Sequence, residues 1–432
     1  MHIENDISIF DFVCTISEAV DLVSPLLNNH HKSVAYISCN IALKMDLSND
    51  EIQDIVLASM LHDIGSFSTE ERIRTLMPDH CDISMNQHAI LGYMLLKEFE
   101  PLSKAALLIK HHHRCFDETR DDIPIGSYII SLADRISILF DEKREILTQV
   151  KEVYNKISLH KSKFHPDVFA AFERLVNLEY VWVDTFSKSF DTIMLRKVRF
   201  SKEILDLEMF KSFAKVIAQI IDFKSRFTAT HSSGVAAVAR ELCVISGFSE
   251  RECRLMEIAG LLHDLGKLSV SNGILEKNGR LTEEEFNVIR KHTYYTYAIL
   301  SRVTGMEHIA EWAAYHHERQ DGNGYPFHVK GEDFSKLARI MAVADVITAL
   351  TEDRPYRPGM NLKNAAETLV AMSENGGIDR NIVDMAINNF SCINDVRLKS
   401  QQEALKEYNN FHDSMHVIFR DIEAKTASPI SA

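Results

Sequence analysis

The chain has 432 residues, 46% apolar and 25% charged, with a formal net charge of −14. That length exceeds one ordinary hydrophobic core and suits two domains. The acidic balance, with no basic run to track phosphates, excludes long nucleic acid as a partner, and no apolar run approaches the length of a membrane span.

The first residues, Met1-His2-Ile3-Glu4-Asn5-Asp6, lack a basic stretch followed by an apolar one. No signal peptide is read there, and a cytoplasmic location is expected. Seven cysteines (14, 39, 81, 115, 243, 253 and 392) form no Cys-x-x-Cys pair and read as buried thiols in a reducing compartment. Only 16 Gly and 9 Pro supply turns, which favours an all-α fold over a strand-rich one. Apolar residues recur at helical spacing, as in Ile52, Ile55, Val56 and Met60, and again in Val235, Val238, Ala239 and Leu242.

The strongest organisational signal is an internal repeat. The first half carries His30, then Leu61-His62-Asp63-Ile64-Gly65, His88, His112-His113 and Ala133-Asp134. The second carries His231, then Leu262-His263-Asp264-Leu265-Gly266, His292, His316-His317 and Ala344-Asp345. The first His precedes the His-Asp pair by 32 residues in both halves, and the lone His precedes the His pair by 24 in both. The tails also echo each other, Phe164-His165-Pro166-Asp167-Val168 beside Gly377-Ile378-Asp379-Arg380, each before a helical stretch. The expected organisation is therefore two tandem helical domains, 1–185 and 210–400. A less periodic linker spans 186–209, and a tail at 401–432 starts as a helix over 401–408 and frays at its end.

A lone His-Asp pair usually just ends a helix, so its weight comes from the set. In the second half, five imidazoles and two carboxylates exceed the three or four ligands of one zinc site. Ligation by His and carboxylate without Cys suits iron, manganese or a similar divalent ion. Asp264 has two oxygens and can bridge a pair of ions. Two ions are what an in-line displacement at phosphorus uses, because phosphoryl chemistry needs charge neutralisation more than a protein nucleophile. Lys267, one turn past His263, can neutralise a phosphate oxygen or the departing alkoxide, although it also reads as a solvated helix residue. The loop Asp321-Gly322-Asn323-Gly324-Tyr325-Pro326 can form one pocket wall with Gly324 and Tyr325. Arg354 and Arg357 can hold a second phosphate, or pair with Glu352 and Asp353. His111 reads as a surface neighbour.

These residues resemble a known family. His263-Asp264-Leu265-Gly266-Lys267 is similar to the HD superfamily signature, and His316 through Pro326 to the extended motif of the HD-GYP phosphodiesterases. Arg339-Ile340-Met341-Ala342-Val343-Ala344-Asp345, followed by Arg354-Pro355-Tyr356-Arg357, matches the segment that comes next. The resemblance implies an all-helical catalytic domain that hydrolyses cyclic di-GMP or 3′,3′-cyclic GMP–AMP at a two- or three-metal site, usually iron or manganese, with two divalent ions expected here. It implies His231, His263, Asp264, His292, His316, His317 and Asp345 as metal ligands, Asp264 as the bridge, and Lys267, Arg354 and Arg357 as phosphate contacts.

Phe227 stands where members with a third metal carry Glu, Thr348 where a second Asp is usual, and Thr293-Tyr294-Tyr295-Thr296-Tyr297 where a Gly is usual. The first half resembles the same superfamily without the GYP loop, with Ser66 at the Lys position. It keeps a second candidate set, His30, His62, Asp63, His88, His112, His113 and Asp134, and is expected to regulate or to form a homodimer. The alternatives are a non-catalytic cyclic dinucleotide sensor signalling through the N-terminal domain, and a nucleotidase acting on mononucleotides.

Overall fold

The structure, a computed structural model, describes residues 7–21, 29–66, 86–118, 122–200, 204–224, 230–277, 279–353 and 358–427. Apart from two two-residue strands, Ile7–Ser8 and Ile204–Leu205, the regular elements among the described residues are helices. None of these helices is long and apolar enough to cross a membrane. The chain forms two compact units, Ser8–Glu203 with Met415–Ala432, and Ile204–Ser414 with Met1–Ile7.

Each unit is built the same way. In the first, His30–Lys44 packs on Asn49–Leu61 and on Ile125–Ile138. In the second, His231–Ile245 packs on Glu250–Leu262 and on Lys336–Thr351. The middle helix of each trio starts in a capping box, Ser48 with Glu51 and Ser249 with Glu252, in which hydroxyl and carboxylate satisfy each other's backbone N–H groups. Both middle helices then bury an apolar stripe, with Val56, Leu57 and Met60 in one and Met256, Ile258 and Ala259 in the other at 0% exposure. They end at the His-Asp pair, so the stripe that drives core formation also carries these ligands inward.

A glycine fixes the next step in both units. A Cβ on Gly65 would lie 2.2 Å from the His88 carbonyl oxygen, and one on Gly266 would lie 1.9 Å from the His292 carbonyl oxygen. Only glycine lets the turn after His-Asp press against the helix that carries the lone His. The tail motifs also fold as expected, His165 capping Pro166–Glu173 and Asp379 capping Arg380–Asn388.

Three expectations need revision. The stretch 186–209 is not a bare linker. It holds the helix Phe190–Lys197, anchored by Phe190 and Met194 at 2% and 0% exposure, and the helix Leu207–Lys224 starts inside it. Two anchors one turn apart are too few to register as periodicity. The tail is not a separate element, because one helix runs from Phe390 to Ala427 with no Gly or Pro to stop it; the last residues expected to fray, 428–432, lie outside the described ones. The cysteines are not uniformly buried thiols. Cys14, Cys39, Cys243 and Cys253 are, whereas Cys392 is exposed and Cys115 is disulfide-bonded. Disulfides depend on Cα proximity, which linear spacing does not disclose.

Candidate metal centre

Five elements of the second unit converge on one point. His231 opens its helix, His263 and Asp264 follow Glu250–Leu262, and His292 lies inside Glu283–Leu300. His316 and His317 sit in a 3-10 turn, Tyr315–His317, rather than on an α-helix, and Asp345 lies inside Lys336–Thr351. Asp264 is the hub. Its carboxylate lies 3.2 Å from His263 Nε2, 3.4 Å from His292 Nε2 and 3.9 Å from His316 Nε2. Asp345 lies 3.2 Å from His231 Nε2 and 3.9 Å from His317 Nδ1. All seven residues expected from the sequence are thus brought together.

The imidazoles are aimed by their other nitrogens. His263, His292 and His316 each place Nδ1 2.7 Å from the carbonyl oxygen three residues earlier, on Gly260, Ile289 and Ala313. A carbonyl only accepts, so Nδ1 carries the hydrogen and Nε2 is left with a lone pair facing the cluster. His231 is anchored differently, its Nδ1 lying 3.0 Å from Glu352 Oε2. Glu352 was not expected at the site; its carboxylate meets His231. Arg354 and Arg357 themselves, like Phe227, lie outside the described residues.

Electrostatics separates the donors. Burial, reinforced by His317 and Lys267, pushes His292 down to about 3, and burial with the adjacent His317 holds His316 well below its ordinary value. Burial would raise Asp264, but His263 and Lys267 outweigh it and hold the carboxyl well below the usual range. His231 is the exception: burial would lower it, yet Glu352 and then Asp345 push it up to about 10. His292 and His316 are thus held neutral and Asp264 and Asp345 charged, the ligand forms, and His231 carries a proton that a cation would have to displace.

The residues fit a divalent metal. His292 Nε2 and His316 Nε2 approach to 3.2 Å although both are neutral. Bonds of about 2.1 Å at 90–109° separate two ligands by roughly 3.0–3.4 Å. Asp264 Oδ1 is 2% exposed as a residue and makes no hydrogen bond, a cost that a cation removes. His231, His263 and Asp264, and separately His292, His316 and His317, offer donor atoms all within 4.8 Å of one another.

The surroundings give the centre an open side. The His317 side chain is 33% exposed. Tyr325 packs its ring 5.1 Å from that of His317, and Arg290 lies over the Tyr325 ring, 5.0 Å from its centroid. The loop is held by Glu318, which is 2% exposed and accepts from the Phe327 and His328 N–H groups at 2.6 and 3.1 Å. Gly324 is forced, because a Cβ there would meet Arg319 N at 2.4 Å. Lys267 Nζ lies 2.6 Å from Asp264 Oδ2, so in this state it neutralises the bridging candidate. Thr348 donates to the Ala344 carbonyl at 2.9 Å. Thr296 accepts from the Gly266 N–H at 2.9 Å and donates to the His263 carbonyl at 3.0 Å. Thr296 and Arg290 gave no sequence signal, since both act across the fold.

The first unit assembles its own set. His30 Nε2 lies 3.2 Å and His62 Nε2 3.8 Å from Asp134 Oδ1. His88 Nε2 lies 3.2 Å from Asp63 Oδ1, 3.4 Å from His112 Nε2 and 2.9 Å from His113 Nε2. His111, expected at the surface, is half-buried.

Two HD-domain family models match the chain, over residues 28–139 and 215–382. Fold and site together define a tandem HD-domain protein of the metal-dependent hydrolase class. A 3′3′-cGAMP-specific phosphodiesterase 1 of Vibrio cholerae serotype O1 is 31% identical over 396 residues, 88% of this chain and 90% of that protein. A cyclic di-GMP phosphodiesterase of Pseudomonas aeruginosa is 40% identical over 157 residues, 35% of this chain and 37% of that protein. A crystal structure of a cyclic GMP-AMP-specific phosphodiesterase from V. cholerae has the same fold, with a TM-score of 0.65 at 22% identity over 90% of this chain and 98% of that one. The chain belongs to the HD-GYP family of cyclic dinucleotide phosphodiesterases.

Proposed function

We propose that the second unit hydrolyses one phosphodiester bond of a cyclic dinucleotide to give the linear dinucleotide, and that His231, His263, Asp264, His292, His316, His317 and Asp345 hold two divalent cations, iron or manganese, for that purpose. The observation that carries this reading is the convergence of five imidazoles on two buried carboxylates beside an open edge at His317. Bound there, the cations would offset phosphate charge and make water acidic enough to act as a nucleophile near neutral pH.

The chain's own residues do the rest. Asp264 and Asp345 tie the two groups of imidazoles together. Lys267, whose ammonium lies beside Asp264, would present it to a phosphate oxygen or to the leaving oxygen. Tyr325 and Gly324 wall the opening, Arg290 adds a cation beside Tyr325, and Arg354 and Arg357 remain the proposed contacts of the second phosphate. In the reaction, water adds its oxygen to phosphorus, one P–O bond of the ring opens, and the departing oxygen takes a proton.

The first substrate to test is 3′,3′-cyclic GMP–AMP, because the relative that shares both halves of this chain acts on it by name; cyclic di-GMP follows. The full chain, purified anaerobically with its metal content measured, is incubated with both cyclic dinucleotides and with mononucleotides. Conversion of a cyclic substrate to linear product, lost in Asp264→Asn and with chelator, is expected. Tight binding without turnover by metal-replete protein would favour the sensor instead, and preference for mononucleotides would favour a nucleotidase.

A further inference from the structure

We propose that Gln401, on the last helix of the chain, is a positioning residue for the second unit's centre: it fixes the Glu352 carboxylate and, through it, the His231 ring. The inference rests on the reading of His231 as a metal ligand.

Glu352 needs such a support. It is the first residue past the helix Lys336–Thr351, and the carboxyl end of a helix carries negative partial charge that repels a carboxylate. It is also 7% exposed, so water does little for it, and a buried carboxylate must be met by donors or by opposite charge. His231 Nδ1 makes one such contact at 3.0 Å. Gln401, 9% exposed, makes another, its Nε2 lying 3.4 Å from Glu352 Oε2 and 3.4 Å from the Thr230 carbonyl oxygen.

The far end of that amide fixes its orientation. Arg397, one turn earlier on the helix Phe390–Ala427 and 4% exposed, donates to Gln401 Oε1. A guanidinium only donates, so the amide oxygen faces Arg397 and the amide nitrogen is left for the two acceptors. Arg397 is held in turn by Asn394 Oδ1, at 3.2 and 2.9 Å. A buried cation and a buried anion are thus joined through one amide, polarised in the sense that strengthens its bond to the carboxylate.

The backbone is shaped for the same contact. Phe390–Ala427 lies on the first turn of His231–Ile245, where Ser400 donates to the Ser233 carbonyl at 3.0 Å. A Cβ on Gly234 would lie 2.8 Å from Gln401 Nε2, so glycine leaves the amide room beside the turn that His231 opens. The arrangement distinguishes the second unit. In the first, His30 Nδ1 lies 3.3 Å from the Ser137 hydroxyl, and Asp141, seven residues past Asp134 as Glu352 is past Asp345, is exposed. A carboxylate that aims a ligating imidazole does so only as firmly as it is itself held.

The test titrates Mn²⁺ into the metal-free full chain and follows it by electron paramagnetic resonance. The ions that Asp264→Asn removes are those of the second centre. Gln401→Leu is expected to weaken them about tenfold, with kcat restored by excess Mn²⁺ and KM for a cyclic dinucleotide unchanged. Ser400→Ala loosens the same helix without touching Glu352; it should lower the denaturation midpoint and leave Mn²⁺ affinity as it was. In a Glu352→Gln background, Gln401→Leu should weaken binding little further, because both act on one contact. Unchanged affinity in Gln401→Leu, an equal loss in Ser400→Ala, or full additivity with Glu352→Gln would each overturn the proposal. Should Gln401→Leu not fold, Gln401→Asn, which keeps the amide but withdraws it by one methylene, is held to the same criteria. An unaltered chain with no Asp264-dependent ion would sink the phosphodiesterase reading and this inference with it. A metal-loaded chain indifferent to Gln401 would sink this inference alone.

Discussion

At the residue scale, Glu352 shows how one side chain sets a ligand's chemistry. His231 Nδ1 meets the Glu352 carboxylate, whereas the other anchored imidazoles of this centre meet neutral carbonyls. A carboxylate makes the ring a stronger donor and holds its rotamer, at the cost of holding a proton, since Glu352 leads the causes that push His231 up to about 10. In Glu352→Gln the proton is easier to displace but the ring is less basic and less firmly held. Metal affinity is expected to fall about 10–100-fold, with kcat recovering when metal is added in excess, as a metal titration of activity would show. Activity deficient at every metal concentration would instead give Glu352 a direct role with substrate. Lys267→Met probes a different function. The ammonium faces Asp264 and the open side, so metal content should persist while kcat falls by about 10²–10³, and loss of metal would refute that assignment.

At the scale of elements, the site depends on backbone approach as much as on ligands. The turn Leu265–Ser269 lies against Glu283–Leu300, with Gly266 at the contact and Thr296 bridging the Gly266 N–H to the His263 carbonyl. Thr296→Val leaves both backbone groups without that partner in a buried place, which should cost about 1–3 kcal/mol, read as a lower denaturation midpoint. Gly266→Ala meets main chain, not a flexible side chain, and is expected to prevent the centre from assembling. A folded, metal-loaded Gly266→Ala protein would show that the helix can retreat.

These contacts also mark where the sequence stopped being informative. The seven-donor sets, the two units and the helical class were legible because each rests on spacing along the chain: a His-Asp pair after an apolar stripe, a constant 24 residues between lone His and His pair. Thr296, Glu352 and Arg290 were not, because each acts on a group brought near only by folding. The helix Phe190–Lys197 escaped for a related reason, its two anchors being judged by what they bury against, not by period.

At the scale of the whole molecule, buried neutral imidazoles couple stability to pH. In the metal-free chain burial pushes His62 down to about 4, and His112 and His292 down to about 3, against an unfolded value near 6.5. Between these limits the unfolded chain binds protons that the folded chain refuses, so stability falls as pH drops from about 6.5 towards 4. Each such group contributes a slope of about 1.4 kcal/mol per pH unit. His231 acts in another window. With a folded value of about 10, its contribution is complete below 6.5 and is lost as pH rises from there to 10, so it adds no slope on the acid side. Asp134, pulled down to about 2 by His30 against the effect of burial, contributes above about 4 and loses that contribution only below it. Chelator-treated protein should therefore melt progressively earlier between pH 6.5 and 4.5. His292→Asn should flatten that dependence by about one group's share while leaving the alkaline limb, set by His231, in place. An acid limb of unchanged steepness in His292→Asn would mean that His292 takes up its proton without unfolding, and the centre would then be solvated at that position.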